Sequence, residues 1–181
     1  MSNKSKDELI KLLKEGFVKE FNEFRSHAKD KLINLAEIDL SGSEIPGVNL
    51  SNMDLSGVDF SDCVLTETNF SNCDLTYVNF TGSILKQANF FRAILIGAKF
   101  NKAIASDCDF TEADMSGTDL SETDLTESNL ALTENLSECI FDSYTIWPDI
   151  ENLPEGFESE YVEDLSSLKD EDDYYEDDYA Y

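Results

Sequence analysis

Histidine is nearly absent from this chain, and its scarcity limits the chemistry that the protein can perform. His27 is the one histidine among 181 residues, whereas histidine is the most frequent general acid or base and a common metal ligand. It falls near the end of a predicted helix, and no Ser/His/Asp, Cys/His or glycine-rich phosphate-binding pattern accompanies it. We therefore predict no catalytic, cofactor-binding or metal-binding residue, and we expect that the protein is not an enzyme.

Long apolar runs and paired cysteines are missing as well. The sequence has no apolar run long enough to cross a bilayer, and its N-terminus is charged and amphipathic, so we predict neither a membrane span nor a signal peptide. The cysteines Cys63, Cys73, Cys108 and Cys139 lack the CxxC spacing of redox and metal sites. We expect them to be buried, reduced thiols in a cytoplasmic protein.

Positive charge is scarce. Against 39 Asp and Glu the chain has 13 Lys and Arg, which gives a formal net charge of −26. By segment the net charge is +2 for residues 1–34, −15 for residues 35–148 and −13 for residues 149–181. Because phosphate contacts need cations, we expect no direct binding of nucleic acid.

What the chain does contain is a repeat of five residues. From Leu35 onward each unit is centred on a large apolar side chain, and only Ala105 is small. A period of five fits neither an α-helix nor a β-strand, and a strict short repeat predicts a solenoid. The centres are Leu35, Leu40, Ile45, Leu50, Leu55, Phe60, Leu65, Phe70, Leu75, Phe80, Leu85, Phe90, Leu95, Phe100, Ala105, Phe110, Met115, Leu120, Leu125 and Leu130.

The other positions of the unit also have a fixed character. Two residues before the centre the side chain is small or slim, as at Cys63 and Ala88, which predicts a crowded inner position. The residue directly before the centre is usually Asn or Asp, as at Asn69 and Asp74, and these side chains bond nearby backbone groups in turns. Ser or Thr usually follows the centre.

This A(D/N)LXX unit resembles that of the pentapeptide-repeat proteins, and the match runs from residue 33 to residue 132. The resemblance implies an all-β solenoid, a right-handed quadrilateral β-helix in which four units make one coil. Sorting the centres by that period places phenylalanine in only two opposite columns, which supports the coil independently. At the usual strand spacing of about 4.8 Å the repeat region would form a rod roughly 25 to 30 Å long.

Both ends of a solenoid need covering. For residues 1–32 we predict an α-helical cap that begins with a capping box of Ser5 and Glu8 and is interrupted near Gly16. A helix lying on a membrane surface is the alternative for this segment, although we expect no membrane contact. The predicted apolar stripe of the cap comprises Leu9, Leu13, Phe17, Phe21 and Phe24.

The repeat region is predicted to span residues 33–148. The centres Leu130 and Leu136 are six residues apart, so we expect one extra residue in the last coil, placed in a β-bulge. The segment that follows resembles the closing segment of family members, which implies that Trp147 and Phe157 lie across the last coil. Residues 149–181 are predicted to comprise this closing segment and an acidic, disordered tail.

Departures from the repeat indicate a candidate partner surface. All four cations of the repeat region fall within one coil, where apolar residues also replace the usual polar ones. Apolar side chains beside cations on an acidic rod are typical of a contact surface, and ordinary variation of the repeat is the alternative. The candidate residues are Val64, Ile84, Lys86, Phe91, Arg92, Ile94, Ile96, Lys99, Lys102 and Ile104.

Two functions remain open from the sequence. The first is a non-catalytic scaffold that binds a partner protein of unknown identity, with a second copy of the chain as one such partner. The second follows from the resemblance, because the Qnr and MfpA types of pentapeptide-repeat protein imitate duplex DNA and bind DNA gyrase. The acidic rod fits such a mimic, but the units here run without the projecting loops of Qnr proteins.

Overall fold

The computed structural model describes residues 4–28 and 33–157. Helix α1 spans Lys6–Lys14 and helix α2 spans Val18–His27. Strand β1, Ile33–Asn34, pairs in parallel with strand β2, Met53–Asp54. Short 3-10 turns follow at Leu136–Glu138 and Ile150–Asn152. The acidic tail predicted beyond residue 157 lies outside the described residues.

The coil of twenty residues is confirmed by the pairing of the chain. From Asp39 to Asp114 each residue before a centre forms a parallel bridge with the residue twenty positions later, as in Asp39 with Asp59 and Asp59 with Asn79. Four units therefore return the chain to the same side. We number the four sides as faces I to IV, with Leu35, Leu55, Leu75, Leu95 and Met115 on face I; Leu40, Phe60, Phe80, Phe100 and Leu120 on face II; Ile45, Leu65, Leu85, Ala105 and Leu125 on face III; and Leu50, Phe70, Phe90, Phe110 and Leu130 on face IV.

Hydrogen bonding explains why the unit has this composition, as residues 58–62 illustrate. The amide of Val58 donates within the turn, and that of Asp59 donates to the preceding coil, at 3.1 and 3.0 Å. The amides of Phe60 and Asp62 donate to the following coil, at 2.7 and 2.9 Å. The remaining amide, of Ser61, donates to Oδ1 of Asp59 at 2.9 Å. Asn or Asp before the centre thus satisfies the one amide that the backbone ladder leaves over.

Two columns of phenylalanine fill the interior. Phe60 and Phe80 of face II stack with ring centroids 5.4 Å apart, and Phe70 and Phe90 of face IV stack at 5.0 Å. Rings from opposite faces meet edge to face, as Phe70 and Phe80 do at 5.3 Å. All of these side chains are fully buried. The small inner positions are required because the rings occupy the centre of each coil.

The two helices pack on the first coil. Asn22 of α2 donates to the carbonyl oxygen of Gly47 at 2.9 Å and accepts from the amide of Asn49 at 2.8 Å. Arg25, almost fully buried, donates to the carbonyl oxygen of Ser51 at 2.5 Å. Leu9, Leu13 and Phe21 are buried in the same apolar cluster as the coil centres.

The sequence prediction for this segment was correct in one respect and wrong in another. The capping box of Ser5 and Glu8 is present, with reciprocal bonds of 3.2 and 2.7 Å. The single apolar stripe is not present, because Phe17 is 45% exposed. Gly16 has φ +72° and turns the chain between the helices, so Phe17 falls outside the helical register.

At the other end the extra residue does not form the expected β-bulge. Asp114 still pairs twenty residues ahead with Glu134, whereas Asp119 pairs with Ile140. The 3-10 turn at Leu136–Glu138, entered through Asn135 at φ +59°, accommodates the added residue. A tight turn succeeds here because it keeps Leu136 buried as a coil centre.

Aromatic side chains cover the last coil. The ring centroids of Trp147 and Phe157 lie 5.2 Å apart, and those of Phe141 and Trp147 also lie 5.2 Å apart. The amide of Leu130 donates to the carbonyl oxygen of Asn152 at 2.7 Å. The closing segment therefore continues the ladder at face IV and brings its rings together.

Candidate protein-interaction surface

Val64, Ile84 and Ile104 form one continuous row on face III. Each precedes a coil centre, and the parallel bridges Val64–Ile84 and Ile84–Ile104 place them in adjacent coils. Their side chains are half-buried, between a fully buried centre and the solvent. We call these three residues the face III row. The sequence prediction that they stack is confirmed.

The ends of the face III row are acidic. Val64 pairs with Glu44 on the preceding coil, and Ile104 pairs with Asp124 on the following coil. Beyond Asp124 the column becomes apolar again, because Asp124 pairs with Ile146, which is 48% exposed. Face III thus presents three apolar side chains, one carboxylate and a further apolar side chain in successive coils.

The other seven candidate residues do not join this row, because one coil encircles the rod. Ile94 lies on face I and Lys99 on face II, each directly before its centre. The remaining residues occupy corners between faces, so the ten candidates surround the rod and do not form one patch. The corner residues are Lys86 between faces III and IV, Phe91 and Arg92 between IV and I, Ile96 between I and II, and Lys102 between II and III.

Two of the four cations of this coil, Arg92 and Lys102, pair with acids one coil later. Nε of Arg92 lies 2.6 Å from Oε2 of Glu112, and the guanidinium also lies 4.7 Å from the ring centroid of Phe91. Nζ of Lys102 lies 3.8 Å from Oε1 of Glu122. These exposed pairs contribute little to stability. They nevertheless direct Arg92 and Lys102 toward acids of the rod itself.

One exposed side chain of the preceding coil was missed by the sequence analysis. Tyr77 is 71% exposed at the corner between faces I and II, next to Ile96. It occupies the left-handed position of its turn, with φ +57°, where glycine is the favoured residue. A bulky residue at a position that Gly57, Gly97 and Gly117 fill in the neighbouring coils was the signal that could have identified it.

The thiols are structural groups. Each Sγ–H lies at an inner position and donates to a backbone carbonyl, as Cys73 does to Leu50 at 3.0 Å and Cys108 to Leu85 at 3.1 Å. Burial raises the pKa of Cys63 to about 11 and those of Cys73, Cys108 and Cys139 to about 12. Thr118 and Thr123 make the same type of bond from equivalent positions, so the inner position selects a small donor and the thiol is not activated.

Several surface carboxylates are held by the repeat itself. The hydroxyl of Ser41 and its amide both donate to Asp39, and these bonds lower the pKa of that carboxyl, the hydroxyl more than the amide. Burial acts to raise the pKa of Asp119, but hydrogen bonds from Asn101 and Ser121 outweigh it, so the pKa is lowered.

Among residues 4–28 and 33–157 no cluster of three His, Cys, Asp or Glu side chains could hold a metal ion. Nor does this part of the chain contain a helix of the length and apolarity that a bilayer crossing requires.

Solved structures with the same repeat resemble parts of the chain. A pentapeptide repeat protein from the Arabidopsis thaliana thylakoid lumen is 34% identical over 45% of this chain and 57% of its own length, with a TM-score of 0.44. The protein Rfr23 from the cyanobacterium Cyanothece 51142 is 20% identical over 71% of this chain and 99% of its own, with a TM-score of 0.38. QnrB1, a plasmid-mediated fluoroquinolone resistance protein, is 17% identical over 62% of this chain and 91% of its own, with a TM-score of 0.26.

No curated protein matches the chain. The family model for pentapeptide repeats matches it in 8 copies, over residues 33–72, 54–90 and 93–131. These matches cover the same coils that the parallel bridges define. The chain therefore belongs to the pentapeptide-repeat family, whose fold is the right-handed quadrilateral β-helix.

Proposed function

We propose that the protein is a non-catalytic scaffold that binds a partner protein through the face III row. The observation that supports this most strongly is chemical. The position before the centre normally carries Asn or Asp. Its side chain accepts a hydrogen bond from the one backbone amide of the unit that the ladder does not use, as Oδ1 of Asn89 accepts from the amide of Phe91 at 2.8 Å. Val64, Ile84 and Ile104 offer no such acceptor, so three adjacent coils forgo a local hydrogen bond and expose apolar surface.

The ends of the rod support the same use. We propose that α1 and α2 close the N-terminal end as a cap and that the segment around Trp147 closes the C-terminal end. Closed ends prevent further coils from adding to the exposed strand edges. The faces are then the surfaces available to a partner. The unpaired, buried thiols fit a reducing compartment, and we propose the cytoplasm.

A second candidate is mimicry of DNA, as in the Qnr and MfpA types. It is favoured by the net charge of −26 and by the carboxylates that recur at the corners of successive coils, such as Asp107 and Glu127. Such a protein would occupy a basic nucleic-acid site on gyrase, another topoisomerase or another DNA-binding protein. Its binding would depend mainly on long-range charge.

Capture of partners on the immobilised full chain tests the proposal. Lysate of the source organism is passed over the wild type, over Ile84→Asp with Ile104→Asp, and over the control Ile94→Asp on the opposite face. We expect the face III variant alone to lose a partner that the wild type retains at high salt. Retention of every partner by this variant, with release by salt, would favour the mimic instead. Light scattering of the wild type shows whether a second copy is the partner.

A further inference from the structure

The face III row has a spacing that fits one class of partner segment. Successive residues of the row lie in adjacent coils, about 4.8 Å apart along the rod. An α-helix presents one side chain per turn on a given side, at a pitch of about 5.4 Å. A helix aligned with the rod axis therefore departs from the coil spacing by only about 0.6 Å per turn and stays near register over several coils. Strand side chains on one side recur at about 6.6 Å and depart by about 1.8 Å per coil, so an aligned strand loses register sooner.

We propose that the partner segment is an amphipathic α-helix with basic flanks, which lies along face III over Val64, Ile84 and Ile104. This inference rests on the proposed function, since it names the partner of the same surface. The row alone engages one side chain from each of about three successive turns, because three coils cover roughly 10 Å, or about two helical pitches. Continuation through Asp124 to Ile146 lengthens the contact to about five turns.

The negative charge around face III indicates which side chains the flanks of the partner helix should carry. The two corners that border face III carry more acids than bases, and Asp124 separates the face III row from Ile146. Lys102 is already paired with Glu122, which leaves Lys86 as the other cation on these corners between residues 42 and 127. Lys and Arg on the helix flanks would meet carboxylates on both sides. The carboxylates on the bordering corners are Asp62, Glu67, Asp107, Glu122 and Glu127, and Glu44 and Asp124 lie at the two ends of the row.

The order of residues along face III also specifies the order along the helix. Three successive turns should present apolar side chains to Val64, Ile84 and Ile104. The next turn should present Lys or Arg to Asp124, and the turn after it an apolar side chain to Ile146. A second copy of this chain fits poorly, because two copies of face III would bring these carboxylates together.

A synthetic peptide tests this order. The probe is a helical peptide of about 18 residues, with leucines on three successive turns, arginine on the fourth, leucine on the fifth and lysines on both flanks. Two control peptides have the same composition in scrambled order, or glutamates in place of the lysines. Binding to the full chain is measured by fluorescence anisotropy, against the wild type, Ile84→Asn with Ile104→Asn, and the opposite-face control Ile94→Asn.

We expect the wild type to bind the probe and the face III variant to bind it at least about tenfold more weakly, since two apolar contacts are lost. The Ile94→Asn control should change the affinity by less than about twofold. The scrambled and glutamate peptides should bind at least about tenfold more weakly than the probe. Asn is chosen because its side-chain oxygen can accept a hydrogen bond from the backbone N–H two residues later, as that of Asn89 does.

Hydrogen exchange on the wild type provides a measurement that needs no variant. The bound probe should protect the amides of Thr66, Lys86 and Ser106, which the ladder does not use, but not the equivalent amide of Ile96. Equal binding of the scrambled peptide, protection on face I, or no saturation of the wild type would each overturn the helix. A partner captured through Ile84 and Ile104 would in that event leave the scaffold proposal standing. If capture fails as well, both proposals fall.

Discussion

Tyr77 occupies the space above Gly97 in the next coil. A Cβ atom built on Gly97 would lie 2.6 Å from Cε1 and 2.7 Å from Cδ1 of the Tyr77 ring. Both residues take the left-handed position of their turns, at φ +57° and +63°. The glycine therefore provides both the conformation of its own turn and the space for an exposed ring one coil before it.

Gly97→Ala is expected to destabilise the protein more than Gly117→Ala. Both substitutions place alanine at nearly the same φ, +63° and +64°, and share a cost of about 1 kcal/mol. Gly117 has nothing within 4 Å of its built Cβ, so only Gly97→Ala must also displace a ring. We expect an additional loss of about 1 kcal/mol. Urea unfolding measures both, and the difference should disappear in a Tyr77→Ala background. Equal effects in the wild type would show that the ring moves aside freely.

Phe80→Ala is expected to lower the free energy of unfolding by about 3 to 5 kcal/mol. The ring is fully buried and contacts Phe60, Phe70, Phe90 and Phe100 at centroid distances of 5.0 to 5.8 Å. The control is Phe91→Ala, which removes a half-buried corner ring and should cost about 1 kcal/mol or less. Denaturant unfolding decides the matter, and a loss below about 1 kcal/mol for Phe80→Ala would contradict its place in the core.

Acid should destabilise the fold through its turn carboxylates. The pKa values of Asp39 and Asp119 are lowered in the folded chain, so each contributes stability above the unfolded value of about 4. That contribution is lost as the pH falls through the lower folded value. Asp39→Asn with Asp119→Asn keeps an acceptor for the serine amide without titrating, as Asn69 does for Ser71 at 2.9 Å.

We therefore expect the double variant to lose less stability than the wild type below about pH 4. Thermal melts between about pH 5 and pH 2 measure the two curves. Their separation at higher pH is the internal reference, because the carboxylates are ionised there. Parallel curves across the whole range would show that these side chains titrate normally in the folded chain.

The repeat could be predicted from the sequence because each of its positions has a separate steric or hydrogen-bonding requirement. A ring such as Phe80 requires a small inner neighbour, and the amide of Ser61 requires the side chain of Asp59. These requirements recur every five residues and every twenty, so local and global patterns agree. The coil of four units was implied by the family resemblance, and the two columns of phenylalanine supported it.

The ends and the distribution of the candidate residues were less predictable. A one-residue insertion before Leu136 is compatible with a bulge or a 3-10 turn, and only the packing of the last coil selects the turn. Phe17 fits a helical stripe by spacing but lies beyond a turn at Gly16. Residues 84–104 are close in sequence yet encircle the rod, so closeness along the chain did not predict one patch. The period of twenty residues did predict the face III row correctly.

Substitution within the face III row is expected to leave the fold intact. Ile84→Asp with Ile104→Asp places carboxylates in a position that accepts Asp124 on the same face, and Asp74 and Asp114 on face I. The circular dichroism spectrum should stay native, with a loss of no more than about 1 to 2 kcal/mol from added charge repulsion. The matched control is Leu85→Asp, one residue away and fully buried, which should unfold the chain because it buries an unpaired charge. If the double variant unfolds as the control does, Ile84 and Ile104 point inward and the face III row is not a surface. If it folds and self-association or partner binding falls, the row is the contact.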